Sequence, residues 1–297
     1  VRQSKGGQVQ MSDAKRYFTY GTPVAMALIL DLILSASDRF LIAFFIDDAA
    51  VGAYAAGYGV ADKTVLMICV WAAMAGAPLV MEAFEKNGKK AAEDQARGLA
   101  QTLILIAFPA AVGIAIVARP LSDVMIGEEL RDQARQIIPW IAFAGLFNGF
   151  LIHYFSEAFQ LARKTGERAL IMIVPALLNI GLNIVLLPRI GLMGAVYATV
   201  ICYVLAVALL AVFGRRHLAM PVPGMDLLKV LVASFAMVGA VQLIPDMPAL
   251  LQLMLEAGIG ALVYGLVVVS LNAAGARDMA MKIAAKLKAK FLRENAA

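Results

Sequence analysis

Eight stretches of mostly apolar residues recur through this chain, each close to or beyond the about 20 residues that an α-helix needs to cross a bilayer. They fall near residues 20–46, 51–81, 99–118, 137–160, 169–187, 192–213, 227–244 and 249–271. A soluble globule of 297 residues has no interior large enough to hide them all. Composition agrees: 62% of residues are hydrophobic and 16% charged, against roughly 25% charged in an ordinary soluble domain. The same figures exclude a disordered chain. The pattern predicts an all-α, polytopic membrane helix bundle with eight transmembrane helices. The first two stretches exceed the minimum length, so they tilt or extend past the bilayer. Pro23, Pro78, Pro109, Pro139 and Pro175 lie in or at the ends of the spans, where membrane helices tolerate proline better than soluble ones do.

Lysine and arginine alternate between the connecting segments. Counting from the N-terminus, the even-numbered side carries only Arg119, Arg131, Arg135 and Arg189, four residues in all. The N-terminal side carries 19, from Arg2 through the Lys86–Arg97 and Arg163–Arg168 segments to the C-terminal tail. Basic residues in short loops stay in the cytoplasm, so this bias places both termini there and supports an even number of spans. Over 276–293 the tail sets Lys282, Lys286, Lys290 and Arg293 on one helical face beside Ile283, Leu287 and Phe291, the pattern of a basic amphipathic helix on an anionic leaflet. Residues 121–136 read as a short interfacial helix on the outer side. The first stretch, Val1 to Arg16, is polar and basic and does not read as a signal peptide, and we expect the C-terminal part of a longer protein.

Ionisable residues inside spans are costly and point to function by default. Here they are Asp31, Asp38 and Arg39 in the first span, Asp62 and Lys63 in the second, His153 and Glu157 in the fourth, and Glu256 in the eighth. Asp31, Ser35 and Asp38 share one helical face, as do His153, Glu157 and Gln160. Asn179 and Asn183 form a third polar stripe, expected to make interhelical hydrogen bonds. Lipid solvates none of these faces, so they should turn inward. The short connection between the first two spans makes these helices antiparallel neighbours. The register then predicts a cross-helix pair, Asp38 with Lys63 or Arg39 with Asp62, while Asp31 has no evident partner in its own helix. Glu256 is expected near the outer interface. Small residues repeat at four-residue spacing at Gly52 and Ala56, Gly145 and Gly149, and Gly194 and Ala198, which lets helices approach closely.

The catalytic motifs tested for are missing from the sequence. No phosphate-binding loop ends in Gly-Lys-Ser/Thr; Gly88-Lys89 lacks both the upstream glycine and the hydroxyl residue. No His-Glu-x-x-His and no Gly-x-Ser-x-Gly occurs. Cys69 and Cys202 sit in apolar stretches, so neither a disulfide framework nor a cysteine metal site is expected, and no cofactor is called for. A membrane-embedded transferase would need an acid/base cluster at the surface, whereas His217, the one histidine in a loop, has no acid nearby in sequence. The reading is therefore a transporter rather than an enzyme, driven by an ion gradient, the membrane potential or its substrate's own gradient.

Two stretches carry a resemblance. Ser37-Asp38-Arg39-Phe40-Leu41-Ile42, followed by Val51-Gly52-Ala53-Tyr54-Ala55-Ala56-Gly57-Tyr58, resembles the seventh and eighth helices of the Wzx-type polysaccharide flippases, members of the multidrug/oligosaccharidyl-lipid/polysaccharide exporter superfamily. Asn179 to Asn183, then Leu186-Leu187-Pro188, Gly191 and Gly194-Ala195, is similar to that family's Asn-x-x-x-Asn-x-x-Leu-(Ile/Leu)-Pro-x-x-Gly-x-x-Gly-Ala stretch. Ile126-Gly127-Glu128-Glu129 sits where the family often has an outer loop containing glycine. The resemblance implies two six-helix lobes facing one cavity, and in this chain the equivalent of helices 7–14. The expected division is 1–19 as a cytoplasmic segment, 20–213 as the six-helix C-terminal lobe, 214–271 as two additional helices and 272–297 as the basic tail. An N-terminal lobe is expected in the full-length chain.

What the resemblance implies functionally is movement of a polyprenyl-diphosphate-linked oligosaccharide from the cytoplasmic to the outer leaflet of a bacterial inner membrane, for surface polysaccharide biosynthesis. Arg39 and Lys63, the two bases noted among those span residues, become the expected contacts of the anionic headgroup. Asp31, Asp38, Asp62, His153, Glu157, Asn179 and Asn183 become the expected cavity or ion-coupling groups, with H+ or Na+ as the coupling cation. The expected partners are the lipid-linked oligosaccharide and membrane lipids, with no nucleic acid. The alternative is a cation-coupled multidrug exporter of the same superfamily, for which the buried acids, more numerous than the bases, would suit a cationic cargo.

Overall fold

The computed structural model describes residues 11–282, and all of its regular structure among these is helical. The order is α1 (Met11–Phe45), α2 (Asp48–Asn87), α3 (Lys89–Ile116), a short α4 (Ala118–Met125), α5 (Glu128–Phe150), a π-helical turn (Leu151–Phe155), α6 (Glu157–Leu161), α7 (Thr165–Ile190), α8 (Leu192–Gly214), α9 (Gly224–Val241) and α10 (Ala249–Leu271). Seven of the long helices meet the length and hydropathy needed to cross a bilayer: α2, α3, α5 continued through α6, and α7 to α10. With the 35-residue α1, the eight expected long helices are in place. Of the predicted tail helix, residues 276–282 are helical and the remainder lies outside the described residues.

The helices are longer than the apolar stretches that announced them. The 40 residues of α2 reach about 60 Å, twice the hydrocarbon thickness. The basic segment expected as a loop after the second span is helical instead, broken only at Gly88. Gly88 holds φ +81°, a conformation that side-chain-bearing residues rarely adopt, and it lets α3 start at once. Gly191, φ +61°, does the same between α7 and α8. At the other end of α2, the Asp47 carboxylate accepts the Ala50 amide at 2.7 Å and caps the helix, closing the turn from α1. The predicted interfacial helix at 121–136 is instead two elements, α4 and the start of α5, separated at Ile126 and Gly127.

The core is organised around α5, which packs on α2, α3 and α8; α1 packs mainly on α7, and α7 on α8. Small residues set these approaches. A methyl group at Gly145 would stand 3.0 Å from the Asp62 Cα, and one at Gly149 would collide with the Cys69 Sγ. At Gly194 it would lie 2.7 Å from the Leu186 carbonyl carbon, which is backbone and cannot swing aside. Gly52, by contrast, faces the Leu130 side chain at an ordinary 3.6 Å. Large apolar residues on the outside, among them Phe40, Phe44, Trp71 and Met74, are exposed as a bilayer-facing surface requires. Gly194→Ala should therefore lower the unfolding midpoint of the detergent-solubilised protein, at a cost of about 1–3 kcal/mol, while Gly52→Ala should leave it nearly unchanged.

Candidate functional site

Most of the intramembrane polar residues converge on one seam where α1 meets α2, α7 and α8. At its centre is Asp38, fully buried. The Tyr54 hydroxyl donates to its Oδ2 at 2.7 Å, the Thr199 hydroxyl lies 2.6 Å from the same oxygen, and the Asn183 amide donates to Oδ1 at 2.7 Å. Thr199 also reaches the Ala195 carbonyl at 2.9 Å, and one hydroxyl proton serves only one of the two acceptors. Asn183 further donates to the Asn179 carbonyl at 2.9 Å, and Ser37 donates to the Asn179 Oδ1 at 3.0 Å. Asn179 Nδ2 and Asn183 Oδ1 have no partner among the described residues. The cluster thus gathers a carboxylate, two amides, hydroxyls and two backbone carbonyls, with no described base paired to the carboxylate. Hard oxygen donors of this kind suit a proton or a small hard cation.

A second carboxylate, Asp62, lies on α2. Its side chain is 1% exposed; the Asn148 amide of α5 donates to Oδ1 at 3.4 Å, and Oδ2 has no hydrogen-bond partner. Tyr203 and Tyr58 meet hydroxyl to hydroxyl at 3.3 Å in the buried layer beside it. A third carboxylate, Asp31, is held by Arg168, whose Nη2 donates to both Asp31 oxygens at 2.8 and 3.0 Å. Arg168 Nε donates to Ser156 Oγ at 2.8 Å, and that hydroxyl in turn donates to the Leu151 carbonyl at 2.6 Å, an acceptor at the start of the π-helical turn. The ion pair therefore ties α1, α7 and the π-helical turn together.

The predicted pairs of Asp38 with Lys63 and Arg39 with Asp62 do not form. Asp38 does meet α2, but through Tyr54 rather than Lys63, and its other donors come from α7 and α8; Asp62 is bonded to Asn148 of α5. Lys63 lies 3.6 Å from Asp62 with its side chain 64% exposed. Arg39 sits over the Tyr58 ring, 5.7 Å from its centroid, and its Nε is unpartnered. Lys63 is thus mostly exposed and Arg39 half-buried. Asp31, without an evident partner in its own helix, finds one on α7, because Arg168 belongs to the first turn of that helix and is buried rather than in a loop. Glu256, expected at the interface, is buried and accepts Gln252 at 2.7 Å. His217 does have an acid: its Nε2 lies 2.9 Å from the Glu167 carboxylate.

His153 and Glu157 are half-buried and make no hydrogen bond to each other or to another described residue. The π-helical turn runs through His153 and gives way to α6 at Glu157. Asn179 and Asn183 make the interhelical bonds expected of them. Tyr54, Thr199, Asn148, Tyr203 and Arg168 complete the seam and were not singled out as functional; only the tyrosine of the Val-Gly-x-Tyr motif carried a signal. Ion pairs this enclosed cost much more to break than to replace. Asp31→Asn should destabilise the protein by about 3–5 kcal/mol by stranding Arg168, and Asp31→Asn with Arg168→Met should recover part of that loss in a thermal-unfolding double-mutant cycle.

The comparisons with known proteins fit this architecture. The sequence model of the family described as "Polysaccharide biosynthesis protein" matches residues 2–135, which contain Arg39, Lys63 and the first of the two resembling stretches. A search of the curated proteins finds no match. Among solved structures, the chain is similar to "Lipid II flippase MurJ, inward closed conformation", with TM-score 0.70 and 17% identity over 94% of this chain. That likeness is one of fold, and the chain spans 58% of the solved chain's length. The sequence match is thus to a polysaccharide-biosynthesis family over residues 2–135, and the likeness over nearly the whole chain is one of fold.

Proposed function

We propose that this chain is the C-terminal portion of a flippase that moves a polyprenyl-diphosphate-linked oligosaccharide from the cytoplasmic to the outer leaflet of a bacterial inner membrane. The observation that carries the reading is the segregation of charge at the α1–α2 seam. The carboxylates Asp38 and Asp62 are buried, whereas Lys63 is mostly exposed and Arg39 is half-buried over the Tyr58 ring. A diphosphate crossing about 30 Å of hydrocarbon needs such bases, and a cationic drug would need the reverse arrangement. The family match over residues 2–135 supports a polysaccharide-pathway cargo. On this reading an N-terminal lobe of the full-length chain faces the seam, and the two lobes alternate access to the cavity between them. The basic-residue bias supports cytoplasmic termini.

Coupling belongs to the Asp38 cluster in this reading. The oxygens of Asp38, Asn179, Asn183 and Thr199 would hold H+ or Na+, and its charge would offset a carboxylate that has no described base as partner. Binding there would bias the packing of α1 against α7 and α8, and so the access state.

The test uses the full-length gene. Deleting it should leave lipid-linked oligosaccharide on the cytoplasmic leaflet, with cationic-dye efflux unchanged; unchanged glycan with lost efflux would refute the reading. In complementation, Arg39→Ala or Lys63→Gln should insert normally yet cut export by roughly ten- to a hundredfold, the loss of one charge-assisted contact of about 1.5–3 kcal/mol. Asn183→Leu should instead remove the dependence of export on the ion gradient, read in vesicles with imposed sodium or pH gradients.

A further inference from the structure

A small cavity of about 160 Å³ opens between α1, α2, α5 and α8, lined by Asp31, Ser35, Asp62, Lys63, Asn148 and Tyr203 among others. It is polar and large enough to hold water. Asp62 Oδ2 is the unsatisfied atom in this wall: buried, without a hydrogen-bond partner, and on a side chain 1% exposed. The other acid in the wall, Asp31, is already compensated by Arg168. Gly145 brings α5 against the Asp62 backbone. The Asn148 amide already donates to Asp62 Oδ1, so a single proton on Oδ2 would complete the carboxyl group.

The charges around Asp62 are few. On its own helix Lys63 stands 3.6 Å away, with Tyr58 and Cys69 nearby; α1 contributes Asp31, α8 contributes Tyr203, and α5 contributes only the neutral Asn148. Among the described residues Lys63 is therefore the one base facing Asp62, and it is also the mostly exposed base that the functional reading assigns to the diphosphate. One ammonium cannot fully serve both anions.

We propose that Asp62 is a proton-binding site coupled to cargo through Lys63: when a diphosphate engages Lys63, Asp62 takes up a proton from the cavity water, and it returns that proton when the cargo leaves. The step is balanced. A hydronium ion gives up its proton, one O–H bond forms on the Asp62 carboxyl, and water remains. Linkage makes the coupling reciprocal, so protonation of Asp62 also tightens the diphosphate on Lys63. The proposal rests on the assignment of Lys63 as a headgroup contact. It is separate from the cation cluster at Asp38.

The experiment is calorimetric titration of farnesyl diphosphate into the full-length protein in nanodiscs, repeated in buffers of different ionisation enthalpy to count protons. The readout is the difference between wild type and Asp62→Asn, which cancels the protons of the ligand itself. Wild type should take up about one proton more per bound ligand than Asp62→Asn, because the variant has no carboxylate to titrate. Replacing sodium with N-methylglucamine should leave that difference unchanged. Equal uptake in the two proteins overturns the coupling while leaving the headgroup reading in place. No binding by wild type overturns both. A difference that follows sodium rather than pH overturns the proton assignment. If Asp62→Asn does not fold, Asn148→Leu keeps the carboxylate but removes its hydrogen-bond donor, and should move the pH window of uptake; an unmoved window counts against the site.

Discussion

Hydrocarbon offers no hydrogen bonds, and that constraint organises everything in this molecule. Each polar side chain in a span must find its partner on another helix. Asp38 obtains Tyr54 from α2, Asn183 from α7 and Thr199 from α8, so one carboxylate fixes the rotation of four helices at once. Asp62 does the same between α2 and α5, where Gly145 removes the side chain that would keep the two backbones apart. The apolar packing around these points is extensive but non-directional. The polar contacts choose among the many ways in which apolar helices could be stacked.

The same constraint accounts for the placement of the bases. A buried carboxylate accepts neutral donors at modest cost, whereas an ammonium or guanidinium group keeps its hydration where it can. Lys63 therefore stays mostly exposed, while Arg168, with two carboxylate oxygens and a hydroxyl to satisfy it, can be enclosed; Arg39 lies between them, half-buried over the Tyr58 ring. The Arg168 contact with Ser156 reaches the π-helical turn, a place where the regular helical repeat is already interrupted. Chemistry on α1 is thus mechanically connected to the softest point of α5.

Most of the fold was legible in the sequence because apolar runs of span length admit few structures in lipid. The Asn179 and Asn183 stripe was legible too, since amides in an apolar helix have little to bond except another helix. What could not be read was direction. Periodicity places Asp38 and Asp62 on helical faces but does not say which residues each face meets: Asp38 finds Tyr54 rather than Lys63 on α2, with donors on α7 and α8 besides, and Asp62 finds Asn148 on α5. Arg168 looked like a loop residue because the apolar stretch begins after it, yet the helix starts earlier, at Thr165. The π-helical turn had no signal in composition. Thr199, surrounded by apolar residues, gave no hint of a partner until α7 and α8 were side by side.

The last two helices stand apart from this polar order. α9 and α10 pack on each other, on α3 and on α4, with Tyr264 donating to the Leu105 carbonyl and Asp226 accepting from Gln101. None of the Asp31, Asp38 or Asp62 contacts draws on them. In evolutionary terms the pair can diverge under rules different from those that govern the seam. Substitutions there are screened by the annulus of lipid, not by ions or cargo. Homologues living in membranes of different thickness or fluidity should differ first in α9 and α10.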